Sequence, residues 1–247
     1  MALTDDLISY WKLDEASGNA LDAHGSNTLT DTNTVGAATG KISGGRDFES
    51  SASEYFTIAD NASLSTGDID FTFSLWVNAE SLAANADIIS KDTATSPNRE
   101  YIIGFASATP RFRFILFDGA SATILSANNL GAPSTGTWYF IVAWHDSVNN
   151  TMNIQVNNGA VDSVSHTTGT DDGAAPFRIG ARGNTAEFFD GIVDEVGFWK
   201  RVLTSDERAS LYNSGNGLAY PFTSGTTVAR LVNDAPYPFR RPIMVAA

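Results

Sequence analysis

The chain has 247 residues, 43% of them apolar and only 17% charged, which is enough apolar material for one large β-rich core. Its 28 acidic and 15 basic side chains leave a net charge of −13, which disfavours nucleic acid or an anionic membrane as partner. The absence of cysteine excludes disulfides, thiolate catalysis and cysteine-ligated zinc. No apolar run reaches the ~20 residues of a membrane span, and the acidic start Met1 to Asp6 lacks a signal-peptide pattern, so synthesis in the cytoplasm is expected.

Leu7 to Leu13 is predicted as an opening strand, followed by the polar turn Asp14 to Asn19. Residues 20–45, rich in Gly, Asn, Thr and Ser, read as loops with short strands. Strands follow at Arg46–Glu49 and Glu54–Ile58. Phe71 to Asn78 then alternates cleanly, with Phe71, Phe73, Leu75 and Val77 on one face and Thr72, Ser74, Trp76 and Asn78 on the other. Further strands are predicted at Ile88–Ser90, Glu100–Ala106, Arg111–Phe117, Tyr139–Trp144, Met152–Asn157 and Phe177–Ala181, with a hairpin signal at Asn157-Asn158-Gly159.

Ile192 to Trp199 is a closing strand interrupted by the acidic pair Asp194-Glu195. Thr204 or Ser205 can cap a short helix, Glu207 has capping-box spacing from Thr204, and Asn213 to Gly217 ends it. Residues 223–247 differ in kind. Arg230, Arg240 and Arg241 against Asp234 give them +2, so the preceding 222 residues carry −15. With three prolines and two apolar pieces they read as an extended arm that docks on a neighbour or on its own domain, its contacts expected at Arg230, Tyr237, Phe239, Arg240 and Arg241.

The order of features from Phe189 to Tyr212, together with Trp11 to Gly18 (WKLDEASG), resembles laminin-G-like and pentraxin-like domains of the concanavalin A-like lectin/glucanase superfamily. The resemblance covers residues 5–222. It implies an all-β fold, an antiparallel two-sheet jelly-roll sandwich with one short C-terminal helix, as residues 1–222, followed by the arm, 223–247.

Site expectations follow from both readings. If the Trp76 face is open, Trp76 and Asn78, Arg111 and Arg113 on a second strand, and Asn153 and Gln155 on a third can stack on a sugar ring and bond its hydroxyls. The same residues also fit a plain solvent-facing sheet. Many relatives carry a structural calcium where the closing strand meets the first turn, which on this resemblance implies Asp194, with Asp14 or Asp22 as partner; Asp22 also fits an Asx turn. The loop Gly180 to Asp190 offers only Glu187 and Asp190, so a pentraxin-like double-calcium site is not expected. The Glu-x-Asp-x-(x)-Glu motif of retaining glucanases is absent. His24, His145 and His166 are far apart in sequence, and His145 reads as a surface residue at a strand end.

The expected function is a non-catalytic module binding a glycan or protein surface, in a homo-oligomer or docked through the arm on a larger particle such as a phage virion. A glucanase-like hydrolase or lyase and a secreted bacterial adhesin module are the alternatives.

Overall fold

A computed structural model describes residues 1–82, 84–119, 121–183 and 186–222. The arm residues Arg230, Tyr237, Phe239, Arg240 and Arg241 lie outside this range. The first strands are β1 (Leu7–Trp11), β2 (Thr30–Thr32), β3 (Gly36–Thr39), β4 (Gly44–Phe48) and β5 (Tyr55–Ile58). They are followed by β6 (Phe71–Ala79), β7 (Ala86–Asp92), β8 (Arg99–Ala106), β9 (Arg111–Asp118) and β10 (Ser121–Ser126). The last are β11 (Trp138–Asp146), β12 (Thr151–Val156), β13 (Val161–Ser165), β14 (Phe177–Ile179) and β15 (Gly191–Trp199), before the helix α1 (Ser205–Tyr212).

All the pairings are antiparallel and build two sheets. The first runs β13-β12-β11-β6-β15-β4-β3, with β1 also paired to β15; the second runs β10-β9-β8-β7-β14-β5-β2. The expected all-β jelly-roll sandwich is therefore present, with its short helix after the closing strand. Strands β10 and β13, which the sequence did not signal, are polar and exposed edge strands, so they lack the apolar alternation that marks a half-buried strand.

The core forms where the inward rows of the two sheets meet. Phe73 on β6 stacks on Phe198 on β15, with ring centres 4.4 Å apart, and Phe177 from the opposite sheet stacks on Trp11 at 5.1 Å. Trp11 donates its ring N–H to the Asn27 carbonyl at 2.7 Å, so this buried indole leaves no polar group unpaired.

The closing strand needs a bulge. Val193, Val196 and Phe198 all point into the core, but strict alternation cannot turn both Val193 and Val196 inward. The register shifts between Asp194 and Gly197, and Glu195 takes a left-handed backbone (φ 51°). Just beyond, a Cβ on Gly197 would lie 2.4 Å from the Trp199 ring, so only glycine lets that indole lie flat across the strand.

Helix α1 begins with a complete capping box: the Thr204 side chain accepts from the Glu207 backbone N–H, and the Glu207 carboxylate accepts from the Thr204 N–H at 2.8 Å. Glu207 also receives both terminal nitrogens of Arg201, each at 2.8 Å, which ties the helix to the end of β15. The helix then lies across the outward face of the first sheet, and this decides which surfaces remain open.

Candidate functional site

The outward face of the first sheet is a second apolar layer. Tyr10, Trp76, Phe140, Val142, Trp144, Trp199, Leu203 and Leu211 form one buried cluster beneath α1 and the segment after it. Trp76 is only 2% exposed. Tyr212 stacks on its ring at 5.8 Å, and Lys41 Nζ stands 4.9 Å from its centre. The open sugar-binding face expected around Trp76 is thus corrected: the helix needs an apolar floor, and Trp76 supplies part of it.

The other residues expected on that face have separate fates. Asn153 is buried and bonds Thr151 Oγ1 at 3.0 Å. Gln155 is buried too, donating to the Gly159 carbonyl and accepting from Arg208 Nε at 2.8 Å. Asn78 is partly exposed at the far end of β6. Arg111 and Arg113 lie on β9, in the opposite sheet, so they cannot share a surface with Trp76. An apolar outward row on β11 (Phe140, Val142, Trp144) was the overlooked signal, because a continuous apolar run is buried on both faces.

Two polar sites remain. The first is the acidic pocket at the bulge of β15. Asp194 is fully buried; its Oδ2 accepts from the Ile42 N–H at 2.8 Å, while Oδ1 has no hydrogen-bond partner among the described residues. Glu195 is 2% exposed, and the Tyr10 hydroxyl and the Tyr220 backbone N–H face its carboxylate and favour its charged form, though neither contact has full hydrogen-bond geometry. Burial pushes the Asp194 carboxyl up to about 8 and that of Glu195 up to about 7. Asp14, across the 40–44 turn, accepts from the Gly44 N–H at 2.9 Å, pairs with Lys12, and raises both carboxyls further.

The partnerless Oδ1 of Asp194, a buried hard donor, suits a calcium ligand, whereas Asp14 is already held by Lys12 and the Gly44 N–H. Asp22 does not fit. Its two oxygens accept from the backbone N–H groups of Tyr10, His24, Gly25 and Asn27, so it is the Asx-turn anchor of the first loop. Sequence reasoning missed Glu195, whose alternation placed it opposite Asp194; the bulge brings both to one side. A separate carboxylate group, Asp47, Glu49 and Glu80, has oxygens within 4.8 Å of one another but sits nearer solvent.

The second site lies on the outward face of the second sheet. Arg113 on β9 reaches Asp87 on β7 at 3.4 Å and Glu187 at 3.9 Å. Arg182 reaches Asp92 at 2.8 Å, Glu187 at 3.2 Å and Asp87 at 3.7 Å. Arg99 pairs with Asp92 at 2.9 Å and lies 3.8 Å over the Phe117 ring. Arg178 lies over Tyr55 at 4.4 Å, and Tyr55 neighbours Phe188, both partly exposed. Burial and the Glu187 charge push the Asp87 carboxyl up to about 7, against the pull of Arg182 and Arg113. Forked donors, acceptors and aromatic faces thus alternate over one sheet surface, a chemistry suited to hydroxyl-rich ligands.

Residues 48–207 match the family described as the concanavalin A-like lectin/glucanases superfamily. No curated protein matches the sequence. Among solved structures, domain 4 of AbnA, a GH43 extracellular arabinanase from Geobacillus stearothermophilus, described in complex with arabinotriose, is similar. Its TM-score is 0.63 at 17% identity, over 86% of this chain and 98% of that one. The binding domain of Paraclostridial Mosquitocidal Protein 1 gives a TM-score of 0.67 at 18% identity, over 87% of this chain and 53% of that one. The binding domain of botulinum neurotoxin serotype C1 gives 0.67 at 14% identity, over 89% and 54%. The chain thus spans about half the length of the two toxin domains, and at these identities the likeness is one of fold.

Proposed function

Because the chain belongs to the concanavalin A-like lectin/glucanase superfamily, we propose that it is a non-catalytic glycan-binding module whose ligand face is the outward surface of the second sheet. The observation that carries this reading is the contrast between the two outward faces. One is roofed by α1 and apolar; the other presents Arg113, Arg182 and Glu187, partly exposed and anchored on the buried Asp87, with Tyr55 and Phe188 at its margin. The arabinotriose complex of the similar arabinanase domain supports a sugar as ligand. A glycan array probed with the full chain tests it. Binding that Arg113→Ala and Arg182→Ala each weaken at least tenfold is expected; binding unchanged by both removes this face from consideration.

A structural calcium ion is proposed at Asp194 with Asp14 across the 40–44 turn, supported by the buried Asp194 Oδ1 that lacks a hydrogen-bond partner. When bound, the ion would supply the positive charge that keeps these carboxylates ionised, and it would tie the 40–44 turn to the closing strand. An assembly role for the arm, including docking on a virion or pairing of copies, rests on the composition of residues 223–247. Deleting them and measuring association by native mass spectrometry checks that role. No helix among the described residues is long and apolar enough to cross a membrane.

A further inference from the structure

Residues 166–174 cross from the edge of the first sheet, where β13 ends, to the second sheet, where β14 begins. The crossing is tied down at several points. His166 donates its backbone N–H to the Asn150 carbonyl at 2.8 Å, and Thr168 donates its hydroxyl to Asp118 at 2.7 Å. The Thr170 and Asp171 N–H groups reach the Gly67 and Phe117 carbonyls at 3.1 Å and 2.9 Å. At the far end the Gly173 N–H meets the Glu100 carboxylate at 3.2 Å.

The near end rests on a histidine pair. His145 is 0% exposed and His166 4%, with ring centres 5.3 Å apart, so the surface position expected for His145 is corrected. The β11-β12-β13 hairpins bring the two together, pairing His145 with Met152 and Thr151 with Ser165. His145 Nδ1 is 3.0 Å from the Ile69 carbonyl oxygen, and since a carbonyl only accepts, Nδ1 carries the proton of the neutral ring. Its Nε2, and both ring nitrogens of His166, are buried with no hydrogen-bond partner among the described residues. A proton added to either ring therefore makes a buried charge without an acceptor, and charging both sets like charges face to face.

The surrounding acids do not remove that cost. Asp118 at the end of β9 and Asp68 before β6 favour a charge on His166, but burial and the facing His145 outweigh them and hold its imidazole below the ordinary 6.5. Asp70 and Asp146, next to the paired Phe71 and His145, are engaged by the following turn: Asp70 accepts from the Ser147 N–H and hydroxyl, each at 2.8 Å, and Asp146 from the Asn149 N–H. The stability that the neutral His166 contributes is thus complete above 6.5 and is lost as pH falls below it.

We propose that the His145–His166 pair is an acid-released clasp. Neutral, the two rings pack together and hold residues 166–171 across the end of the sandwich; charged, they repel, His166 turns out toward Asp118, and the crossing detaches from β11. Because Thr168 already occupies Asp118, the outgoing imidazolium also competes for that tie. The device joins the two sheets at one end and is independent of the glycan-binding reading.

The test is an imidazole NMR titration of the full chain, with amide hydrogen exchange at about pH 7.5 and about pH 5. His166 is expected to titrate below 6.5. On acidification the backbone N–H groups of His166, Thr170 and Asp171 should lose protection, corrected for intrinsic exchange, at least tenfold more than that of Leu75 in β6. In His166→Phe this extra loss should vanish. Glu100 takes up its proton at about 7 and touches the far end of the crossing, so the loosening must follow the His166 titration and not precede it. A His166 ring that titrates at or above 6.5 overturns the proposal, as does a loss of protection that β6 shares equally, that precedes the His166 titration or that persists in the variant. The titration and the exchange comparison use the unaltered protein, so they decide the matter even if the variant folds poorly.

Discussion

Asp194 and Trp76 are direct cross-strand partners on β15 and β6, so the buried acid and the buried indole stand side by side, the indole under Tyr212 and the acid under the 40–44 turn. This adjacency separates two roles that the residue types suggest. Neither meets solvent: the indole holds up the roof, and the acid faces inward to the 40–44 turn.

Trp76→Ala therefore acts on stability. Removing an indole wedged between Phe140 and Tyr212 leaves a cavity, and a loss of about 3–5 kcal/mol is expected. Urea unfolding measures it. At a temperature where the variant stays folded, its glycan-array profile should match that of the unaltered chain, and selective loss of glycan signal would restore Trp76 as a ligand contact.

Calcium should stabilise the fold through Asp194. An ion at a hundred times its Kd adds about 2.7 kcal/mol, readable as a rise in Tm. Asp194→Asn should abolish the rise. Asp22→Asn should keep the rise while lowering the starting Tm, because the amide cannot accept from all four backbone N–H groups that now converge on the carboxylate. A Tm that does not respond to calcium in the unaltered chain removes the ion from the pocket.

Asp87 gives a pH dependence of defined sign. Its folded carboxyl titrates at about 7, against 3.8 for an ordinary aspartate, so the folded state keeps a proton that the unfolded chain releases. The resulting stabilisation is complete below 3.8 and is lost as pH rises through 7. Buried Glu100, also held up at about 7 by desolvation, acts in the same direction. Between about pH 5 and pH 8, Asp87→Asn should lose less stability than the unaltered chain, by on the order of 1–3 kcal/mol in urea unfolding. Parallel pH profiles would refute the assignment.

The capping box offers a local test. Thr204→Ala removes the acceptor for the Glu207 N–H and should reduce stability by about 1 kcal/mol. Glu207→Ala should lose more, because the buried Arg201 guanidinium loses its carboxylate as well. Equal losses would mean that the ion pair adds nothing to the cap.

Much of the frame was legible from short-range pattern. The alternation over Phe71 to Asn78 assigns inward and outward residues correctly, and the Thr204-to-Glu207 spacing predicts the cap that is found. Partnership between distant strands was not legible, because strand order is set by tertiary packing and leaves no local periodicity. Arg113 could be placed on a strand, but nothing near it says that the strand belongs to the sheet opposite Trp76. Asp87 and Arg182 carry no local mark of their encounter, and the two histidines meet only through the register of two hairpins.

The pairing of β1 sets a constraint in time. Leu7 to Trp11 finds its strand partner in Val196 to Trp199, and Tyr10 is then covered by Tyr220 and Phe222, whose rings lie 4.9 Å and 5.2 Å from its own. On the ribosome, β1 must wait for residues 196–199, made nearly two hundred positions later, before it can dock. Until then its apolar side chains remain uncovered, and closing so long a loop slows the final step. Because β15 also stands between β6 and β4, the first sheet is joined only when that strand has been made, and until then the nascent chain is exposed to aggregation.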